Sequence, residues 1–322
     1  SRLLVRVAEE ALSDARLSAA LQARSRWGLW VGTSLGGIGS WQVQHLAGMS
    51  SSAPVRTGLG YASPARDLAR HLGVGGPVVT VTTACCSSTL AAIQAAEAVA
   101  RGVVDVALAC GVDLLCRFVH AGFDVLGALS PTAQRPFAAG RDGLWLGEGA
   151  GVLVLRRPEP SEPGVQLLGG GLAGDALRLT GPDPTGSGLV RAVKQALDQA
   201  DVGVDELQAC STHGTGTELN DAMECAAFSS LLGSRVSQVP VHGIKPVLGH
   251  TLGASGLFEL IVLERAMLDG RFPGTPGAGP DEPGAELRIH RGEPLEVDLH
   301  TALSTNSAFA GNNAAAVLRR FT

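Results

Sequence analysis

The spacing of apolar residues predicts alternating helices and buried strands. Residues 3–16 carry an apolar residue every three or four positions, which predicts an amphipathic helix. A buried strand is predicted next at 27–31 (WGLWV), and the glycine-rich turn GTSLGG follows it. The β-branched run 77–83 (PVVTVTT) predicts a second buried strand, which leads directly into a long helix. Two more strands are predicted at 104–110 and 151–157.

The same order of elements returns after a short linker at 158–164 (PEPSEPG). The second series of predicted elements is a strand at 165–172, a helix at 189–200, a strand at 207–212, a long apolar helix at 252–268, and strands near 300–304 and 314–318. Matching order indicates duplication of an α/β unit. We therefore predict two packed α/β halves, 1–158 and 164–322, related by a pseudo-twofold axis.

The two predicted halves differ at their beginnings. The second half opens with a strand, whereas the first opens directly with a helix. We therefore expect the N-terminal half to lack a first strand. Parallel sheets are buried on both faces, so a lost strand would expose backbone groups and apolar side chains. We expect the strand at 27–31, or one beside it, to show unpaired backbone groups, a covering loop or a strand from a neighbour. We also expect the chain to aggregate more readily than a version extended upstream by that strand.

Composition narrows the class of protein. The 322 residues are 45% hydrophobic and only 17% charged, with 43 glycines, which suits closely packed helices and strands. A net charge of −5 without a basic block excludes a nucleic-acid-binding role. No apolar run approaches the roughly 20 residues that crossing a bilayer requires, and no signal peptide opens the chain. We expect a soluble cytoplasmic protein without membrane insertion.

The six cysteines are predicted to be reduced thiols. No two of them form a CxxC pair, and most lie in apolar runs, so neither a disulfide framework nor a metal site is expected. Cys85 differs from the others because it lies where a buried strand gives way to a helix. The helix dipole and the free N–H groups of a first turn favour thiolate there. We interpret the adjacent Cys86 as structural.

Two histidines lie at equivalent points of the second series, each in a glycine-rich turn. His213 opens HGTGT after a predicted strand, and His250 lies in LGHTLGASG before a helix. Together with a reactive cysteine they supply a nucleophile and general acid–base or electrophilic groups. Lys245 lies in an apolar context and needs a partner if buried, for which Glu259 is the natural candidate. These residues on their own predict a thiol acyltransferase.

Two acids follow the HGTGT turn at three-residue spacing. Asp221 and Glu224 fall where a helix is predicted to begin. Acidic residues are common in the first turn of a helix because they interact favourably with its dipole. We interpret them as ordinary residues of this kind.

Five ordered motifs resemble those of the β-ketoacyl-acyl-carrier-protein synthases of the thiolase superfamily. The resemblance runs from about Leu4 to the C-terminus. The motifs are TAC at 83–85, RPFAAGRDGLWLGEGAGVLVL at 135–155, HGTGTELNDAMEC at 213–225, KPVLGHTLGASG at 245–256 and NSAFAGNNA at 306–314. The resemblance implies a thiolase-like fold of duplicated halves, layered α-β-α-β-α, with the first strand of the N-terminal half absent.

The resemblance also implies a role for each matched residue. Cys85 would hold an acyl chain as a thioester, and His213 and His250 would hydrogen-bond the thioester carbonyl of malonyl-carrier protein. Lys245 and Glu259 would maintain the site and its charge balance. Supporting roles fall to the Thr215 and Thr217 hydroxyls, which would contact the phosphopantetheine arm, and to Phe309, a gating aromatic whose backbone N–H would complete an oxyanion hole with that of Cys85. No cofactor is implied.

Three functions are compatible with these motifs. The Cys-His-His set implies an elongating synthase, an acyltransferase of fatty-acid, polyketide or aryl-polyene-type synthesis. Its partners would be an acyl carrier protein and a second ketosynthase-like subunit, in a homodimer or a heterodimer. The first alternative is a catalytically silent partner of the chain-length-factor kind, although such partners usually lack the nucleophile. The second is a thiolase, which would need a second cysteine where Gly311, Asn312 and Asn313 lie.

The C-terminal motif departs from the family pattern. Ser307 stands in place of a phenylalanine, and Ala308 and Ala310 replace glycines. Added methyl groups restrict the backbone, so we expect a stiffer loop than the family's.

Overall fold

The computed structural model describes residues 2–17, 23–46, 59–158, 162–277 and 286–321. Part of the predicted linker, residues 159–161, lies outside the described residues. The chain divides into two compact units. Unit 1 comprises Ser1–Phe123, Gly147–Arg157 and Thr251–Phe258, and unit 2 comprises Asp124–Leu146, Pro158–His250 and Glu259–Thr322. The predicted halves at 1–158 and 164–322 are inferred from the repeated order of elements, which the division into compact units does not test. They stay a prediction.

Helices and strands alternate along most of the chain. The helices are α1 (Arg2–Asp14), α2 (Ile38–Leu46), α3 (Ser63–Leu72), α4 (Ser87–Ala100), α5 (Arg117–Val125), α6 (Ser187–Ala200), α7 (Glu218–Leu232), α8 (Lys245–Leu248) and α9 (Ser255–Asp269). The strands are β1 (Trp27–Gly32), β2 (Val78–Val81), β3 (Val106–Asp113), β4 (Gly149–Arg156), β5 (Gly164–Gly174), β6 (Ala209–Ser211), β7 (Pro240–His242), β8 (Arg271–Phe272), β9 (Arg288–Ile289), β10 (Leu295–Glu296), β11 (Thr301–Ala308) and β12 (Asn312–Phe321). The mixed α/β class expected from the sequence is confirmed.

Unit 1 is built on a four-stranded sheet in the order β2-β1-β3-β4. The first three strands are parallel, and β4 runs antiparallel to β3. Alternate side chains of β1 and β3 enter a core with α1 and α3, and the members of this core include Leu4, Ala8, Leu29, Val31, Leu68, Leu72, Leu108 and Cys110. The other face of the sheet packs against α4. A Cβ at Gly32 would lie 2.4 Å from the Ser88 backbone, so glycine is required for this approach.

Unit 2 repeats this strand order and adds to it. Its six-stranded sheet has the order β5-β12-β11-β6-β7-β9, and β8 pairs separately with β10. Strands β7, β6, β11 and β12 match β2, β1, β3 and β4 both in order and in sense, since β6, β7 and β11 are parallel and β12 is antiparallel to β11. Helices α6 and α7 enclose the core on one face. The repeated topology is what duplication of an α/β unit predicts.

The expectation of an unpaired edge at β1 or at a strand beside it is met at β2, which pairs only with β1 among the described residues. Strand β1 has a hydrogen-bonded partner on each side, β2 and β3. In unit 2 the additional strand β5 pairs with β12. The matching position in unit 1 lies beside β4, which among the described residues pairs only with β3. Among the described residues, unit 1 therefore has no counterpart of β5 beside β4.

None of the helices in the described part of the chain is both long and apolar enough to cross a bilayer.

One buried residue of unit 2 is unusual for a core. His242, at the end of β7, is fully buried and packs edge-on against Phe272 with ring centroids 4.7 Å apart. Neither ring nitrogen has a hydrogen-bond partner among the described residues. Burial lowers the pKa of His242 to about 3, because a charged imidazole would lose its hydration there.

The buried imidazole predicts a specific pH dependence of stability. Below its ordinary pKa of 6.5, the unfolded chain takes up a proton that the folded chain refuses, so stability falls as pH falls from 6.5 toward 3. The loss is about 1.4 kcal/mol per pH unit. Between pH 6.5 and 5, wild type should therefore lose roughly 2 kcal/mol more unfolding free energy than His242→Leu, measured by urea denaturation. Parallel losses in the two proteins would contradict the assignment.

Candidate active site

Cys85 lies in a tight turn between β2 and α4. Helix α4 begins at Ser87 with Cys86 as its N-cap, so Cys85 precedes the cap by one residue. The preceding Ala84 has a φ of 51°, a left-handed conformation that is costly for a residue with a side chain. The Ser87 hydroxyl closes the turn, because it accepts from the Thr83 N–H at 2.9 Å and donates to the Ala84 carbonyl at 2.6 Å. The turn thus holds the thiol in a fixed position at the helix entrance.

The structure corrects one part of the expectation for this thiol. The N–H groups of Cys86 and Ser87 donate to the carbonyl oxygens of Thr83 and Ala84 at 3.2 and 3.1 Å. These two amides are therefore occupied by backbone carbonyl oxygens and are not among the free N–H groups expected to favour a thiolate, whereas the dipole of α4 still favours one. Cys86 itself is fully buried, in line with its interpretation as structural.

Alkylation tests the reactivity expected of Cys85. Burial raises the pKa of Cys110 and raises that of Cys210 to about 12, so neither should react. Cys116 and Cys225 are more exposed than Cys85, so their labelling separates the effect of exposure from that of thiolate character. We expect iodoacetamide at pH 6.5 to modify Cys85 ahead of the other five cysteines, as measured by peptide mass spectrometry. Preferential labelling of Cys116 or Cys225 would show that exposure alone governs reactivity.

The two predicted histidines of unit 2 lie side by side. Their ring centroids are 5.2 Å apart and the rings are nearly perpendicular, at 86°. Both side chains are buried, and the backbone N–H of His250 donates to the Trp145 carbonyl at 2.6 Å. Burial first, and then the charge of Lys245, lowers the pKa of both His213 and His250 well below 6.5. Both rings are therefore neutral at physiological pH, and each has one N–H to donate.

A buried ion pair between Lys245 and Glu259 contacts the backbone of His213. The Lys245 ammonium donates to Glu259 Oε1 at 2.5 Å and also to the backbone carbonyl of His213. Both charged side chains are at most 2% exposed. Burial raises the pKa of Glu259, and the positive charge of Lys245 acts against that rise. The structure thus contains the Lys245–Glu259 pairing predicted from the sequence.

Asn306 is a site residue that the sequence analysis did not single out. Its Nδ2 donates to Glu259 Oε2 at 2.6 Å and lies 3.4 Å from His213 Nδ1. A carboxylate only accepts, so this contact fixes which amide atom faces the histidine. Nδ1 of His213 then accepts, which places the ring proton on Nε2. The signal available in the sequence was the position of Asn306 at the head of the motif NSAFAGNNA.

Glu224 is not an ordinary acid of a helix first turn. Its carboxylate is fully buried and accepts the N–H groups of His213 and Gly214, both at 2.7 Å. Asn220 donates to the same carboxylate at 2.9 Å. Burial, followed by the charge of Asp221, raises the pKa of Glu224 to about 8. Glu224 therefore fixes the backbone that carries His213.

Asp221 has a similar buried role in the same loop. It accepts the N–H groups of Phe137 at 2.7 Å and Gly216 at 3.2 Å, and it lies 3.4 Å from the Arg141 guanidinium. Burial raises the pKa of Asp221, while these donors and Arg141 act against the rise. Asp221 and Glu224 together hold both ends of the HGTG turn.

The two threonines predicted to bind phosphopantetheine lie on this loop. Their hydroxyl oxygens are 2.9 Å apart, and Thr217 is the N-cap of α7. Gly214 and Gly216 have φ values of 47° and 80°, which only glycine adopts readily. The loop therefore presents both hydroxyls and the His213 ring from a few consecutive residues.

Phe309 begins a short turn between β11 and β12 and is 37% exposed. The next residue, Ala310, has a φ of 64°, where the family pattern has glycine. Its N–H donates to the Leu179 carbonyl at 2.7 Å. Ser307, which stands in place of a phenylalanine, donates to Asn313 at 2.7 Å. The turn is thus hydrogen-bonded at two of the three substituted positions, Ser307 and Ala310, and the stiffer loop stays a prediction.

The predicted residues fall into two groups by unit. Unit 2 brings His213, His250, Lys245 and Glu259 together and carries Thr215, Thr217 and Phe309, whereas Cys85 belongs to unit 1.

Comparison with known proteins identifies the family. The family model for the β-ketoacyl synthase N-terminal domain matches residues 1–161, and that for the C-terminal domain matches residues 166–278. The chain is 31% identical to 3-oxoacyl-[acyl-carrier-protein] synthase 2 of Staphylococcus aureus (strain COL) over 330 residues, which cover 98% of this chain and 80% of that protein. It is 33% identical to the tetracenomycin polyketide synthase ketoacyl synthase alpha subunit of Streptomyces glaucescens over 349 residues, which cover 99% and 80%.

A solved structure gives the same result. The ishigamide ketosynthase/chain length factor superposes with a TM-score of 0.92 at 30% identity, covering 100% of this chain and 82% of that one. Both family models match in order along the chain, and the relatives exceed 30% identity across nearly all of it. The resemblance read from the five motifs is confirmed, and the chain belongs to the β-ketoacyl synthase family.

Proposed function

We propose that the chain is an elongating β-ketoacyl-acyl-carrier-protein synthase with Cys85 as its nucleophile. The observation that carries this proposal is the pair of neutral, buried histidines, His213 and His250, with rings 5.2 Å apart. Two neutral N–H donors at this separation can converge on one carbonyl oxygen. That is the arrangement an enolate-forming reaction needs, because negative charge develops on that oxygen in the transition state.

The first half-reaction transfers an acyl chain to Cys85. The thiolate attacks the thioester carbonyl of acyl-carrier protein, a new carbon–sulfur bond forms, and the bond to the phosphopantetheine sulfur breaks. The released carrier thiolate takes a proton from solvent. The turn closed by Ser87 and the dipole of α4 support this role for Cys85. The same residue waits as an acyl-enzyme for the second substrate.

The second half-reaction forms the new carbon–carbon bond. His213 and His250 donate hydrogen bonds to the thioester carbonyl oxygen of malonyl-carrier protein. Carbon dioxide leaves, and its bonding electrons form an enolate whose oxygen the two N–H groups stabilise. The enolate carbon attacks the acyl group on Cys85, and the cysteine sulfur leaves as thiolate. The product is a β-ketoacyl chain, two carbons longer, on the carrier protein.

Supporting residues act through the histidines or on the substrate arm. Asn306 and Glu224 set the tautomer and the backbone position of His213, and Lys245 with Glu259 holds the same segment. Thr215 and Thr217 would contact the phosphopantetheine arm. Phe309 would gate the nucleophile, and its N–H with that of Cys85 would stabilise the tetrahedral intermediate.

The remaining features of the proposal follow from this reaction. The steps balance without a cofactor or a metal ion. The substrates require an acyl carrier protein as partner, and a second ketosynthase-like subunit would pair with this one, as a homodimer or a heterodimer. The matching strand orders of the two units support duplicated halves at 1–158 and 164–322. Six free thiols support a reducing compartment such as the cytoplasm.

Intact-protein mass spectrometry after incubation with acyl-carrier protein tests the proposal. Wild type should gain the mass of one acyl group, and Cys85→Ser should gain none, because a hydroxyl is a far weaker nucleophile at neutral pH. The matched control is Cys86→Ser, one residue along the same turn, which should still be acylated. A wild-type protein that never gains an acyl group would overturn the proposal and favour a silent chain-length-factor-like subunit.

The two alternative functions are less well supported. A silent partner has no use for the buried Lys245–Glu259 pair beside a matched pair of histidines, yet all of these are in place. A thiolase would need a second cysteine near the C-terminus, where the chain has Gly311, Asn312 and Asn313. Condensation of two acyl thioesters without release of carbon dioxide would identify the thiolase.

A further inference from the structure

Asp113, at the end of β3, is a buried carboxylate with no place in the reaction described above. It is 3% exposed and accepts four hydrogen bonds within unit 1. Oδ1 accepts from the Thr33 hydroxyl at 2.6 Å and the Leu35 N–H at 2.9 Å, and Oδ2 accepts from the Ser34 N–H at 2.8 Å. These three donors belong to the turn after β1. A buried carboxylate that accepts four hydrogen bonds fixes the position of the groups that donate them.

The fourth donor lies 140 residues further along the chain. The N–H of Gly253 donates to Asp113 Oδ2 at 2.7 Å. Gly253 follows His250 by three residues, and the intervening Leu252 has a φ of 55°, a strained conformation for a leucine. A Cβ at Gly253 would lie 2.4 Å from the Ser34 nitrogen and 2.7 Å from Asp113 Oδ2. The segment just after His250 therefore packs directly against the Asp113 carboxylate.

A second hydrogen bond connects the segment after His250 to α4, the helix that follows Cys85. The Ser88 hydroxyl, on the first turn of α4 three residues after Cys85, accepts from the Leu257 N–H at 3.0 Å. Both residues belong to unit 1. A Cβ at Gly111 would meet Ala254 and Ser88 at 3.0 Å, so the strand, the helix and this segment are in close contact. Residues 251–258 are thus fixed to the elements that also carry Cys85.

We infer that Asp113 is a positioning residue for His250: its hydrogen bond to the Gly253 N–H, called the tether below, fixes the segment that follows His250 in the chain. This inference rests on the proposed function. Decarboxylation needs the His250 N–H at hydrogen-bond distance from the malonyl carbonyl oxygen, with its position accurate to a fraction of an ångström, whereas acylation of Cys85 does not need that contact. Loss of the tether should therefore affect the two half-reactions unequally. A role limited to stability would not separate them.

Two variants break the tether from opposite sides. Asp113→Ala removes both acceptor oxygens, so the Gly253 N–H loses its acceptor. Gly253→Ala pushes the segment away from the carboxylate. The matched control is Thr33→Val, which removes a hydrogen bond to the same carboxylate and leaves that of Gly253. We expect the first two to slow single-turnover carbon dioxide release at least tenfold, with acylation of Cys85 within threefold of wild type, and Thr33→Val to stay within threefold for both.

Parallel slowing of both half-reactions, or the same loss in Thr33→Val, would overturn the inference. Hydrogen exchange provides a readout that is independent of activity. Amides of 251–258 should exchange faster in Asp113→Ala than in wild type or Thr33→Val, and equal exchange in all three would also overturn it. If wild type releases no carbon dioxide and forms no acyl adduct, the proposed function fails, whereas the exchange result still decides whether the tether exists.

Discussion

Replacing His250 with alanine should slow carbon dioxide release from malonyl-carrier protein by a hundred- to a thousand-fold, while acyl transfer to Cys85 stays within a few-fold of wild type. His213→Ala should do the same. Removal of one preorganised donor to a developing oxyanion costs roughly 3–4 kcal/mol. The asymmetry between steps follows because the enolate forms only in the second half-reaction. Single-turnover acylation by intact mass, and carbon dioxide release from radiolabelled malonyl groups, measure the two steps separately.

His242→Ala is the matched control for this experiment. It also removes a buried histidine from unit 2, but His242 packs against Phe272 rather than against the histidine pair. We expect it to lower stability and leave the ratio of the two rates unchanged. His250→Gln keeps an N–H donor on a flexible side chain of similar length and should recover part of the lost rate. Equal slowing of both steps in the alanine variants would mean that the histidines only hold the site together.

The hydrophobic pattern predicted the fold class because strand and helix cores are strongly periodic. The buried strand β1 and the helix α4 lie where the pattern places them. The pattern underestimated β11, which was predicted near 300–304 and continues to Ala308. The reason is that Thr305, Asn306 and Ser307 are polar yet buried, since their side chains serve hydrogen bonds inside unit 2. A strand whose inward face is polar does not show the alternation that identifies strands.

The site could be predicted only where chemistry is written into a short motif. The histidines and Lys245 lie in distinctive glycine-rich contexts, whereas Glu224 and Asp113 look like any acid at a helix or strand end. Glu224 differs from such acids because its buried carboxylate accepts hydrogen bonds from the backbone N–H groups of His213 and Gly214. These contacts depend on tertiary packing, which the sequence does not show. The left-handed backbone at Ala84 could not be predicted from the sequence either, because alanine rarely adopts a positive φ.

Lys245→Met should destabilise the protein by about 3–5 kcal/mol at pH 8, the cost of leaving one member of a buried ion pair without its partner. Glu259 is fully buried, and without the ammonium its carboxylate retains, among the described residues, only the hydrogen bond from the Asn306 amide. Methionine preserves the length of the side chain, so the lost charge and hydrogen bonds, including that to the His213 carbonyl, account for the effect. Urea denaturation of both proteins at pH 8 measures it.

The pH dependence of the Lys245→Met effect identifies its cause. Burial raises the pKa of Glu259, and removal of Lys245 takes away the charge that opposes this rise. A group whose folded pKa is raised stabilises the fold while it stays protonated and loses that contribution as pH rises through the folded pKa. The destabilisation should therefore be smaller at pH 5 than at pH 8. The double variant Lys245→Met/Glu259→Gln, which has no buried charge at this position, should be more stable at pH 8 than Lys245→Met alone and should lose the added pH dependence. If the double variant is instead less stable by the sum of the two single effects, Glu259 does not carry an uncompensated charge, and the coupling between Lys245 and the His213 carbonyl must account for the loss.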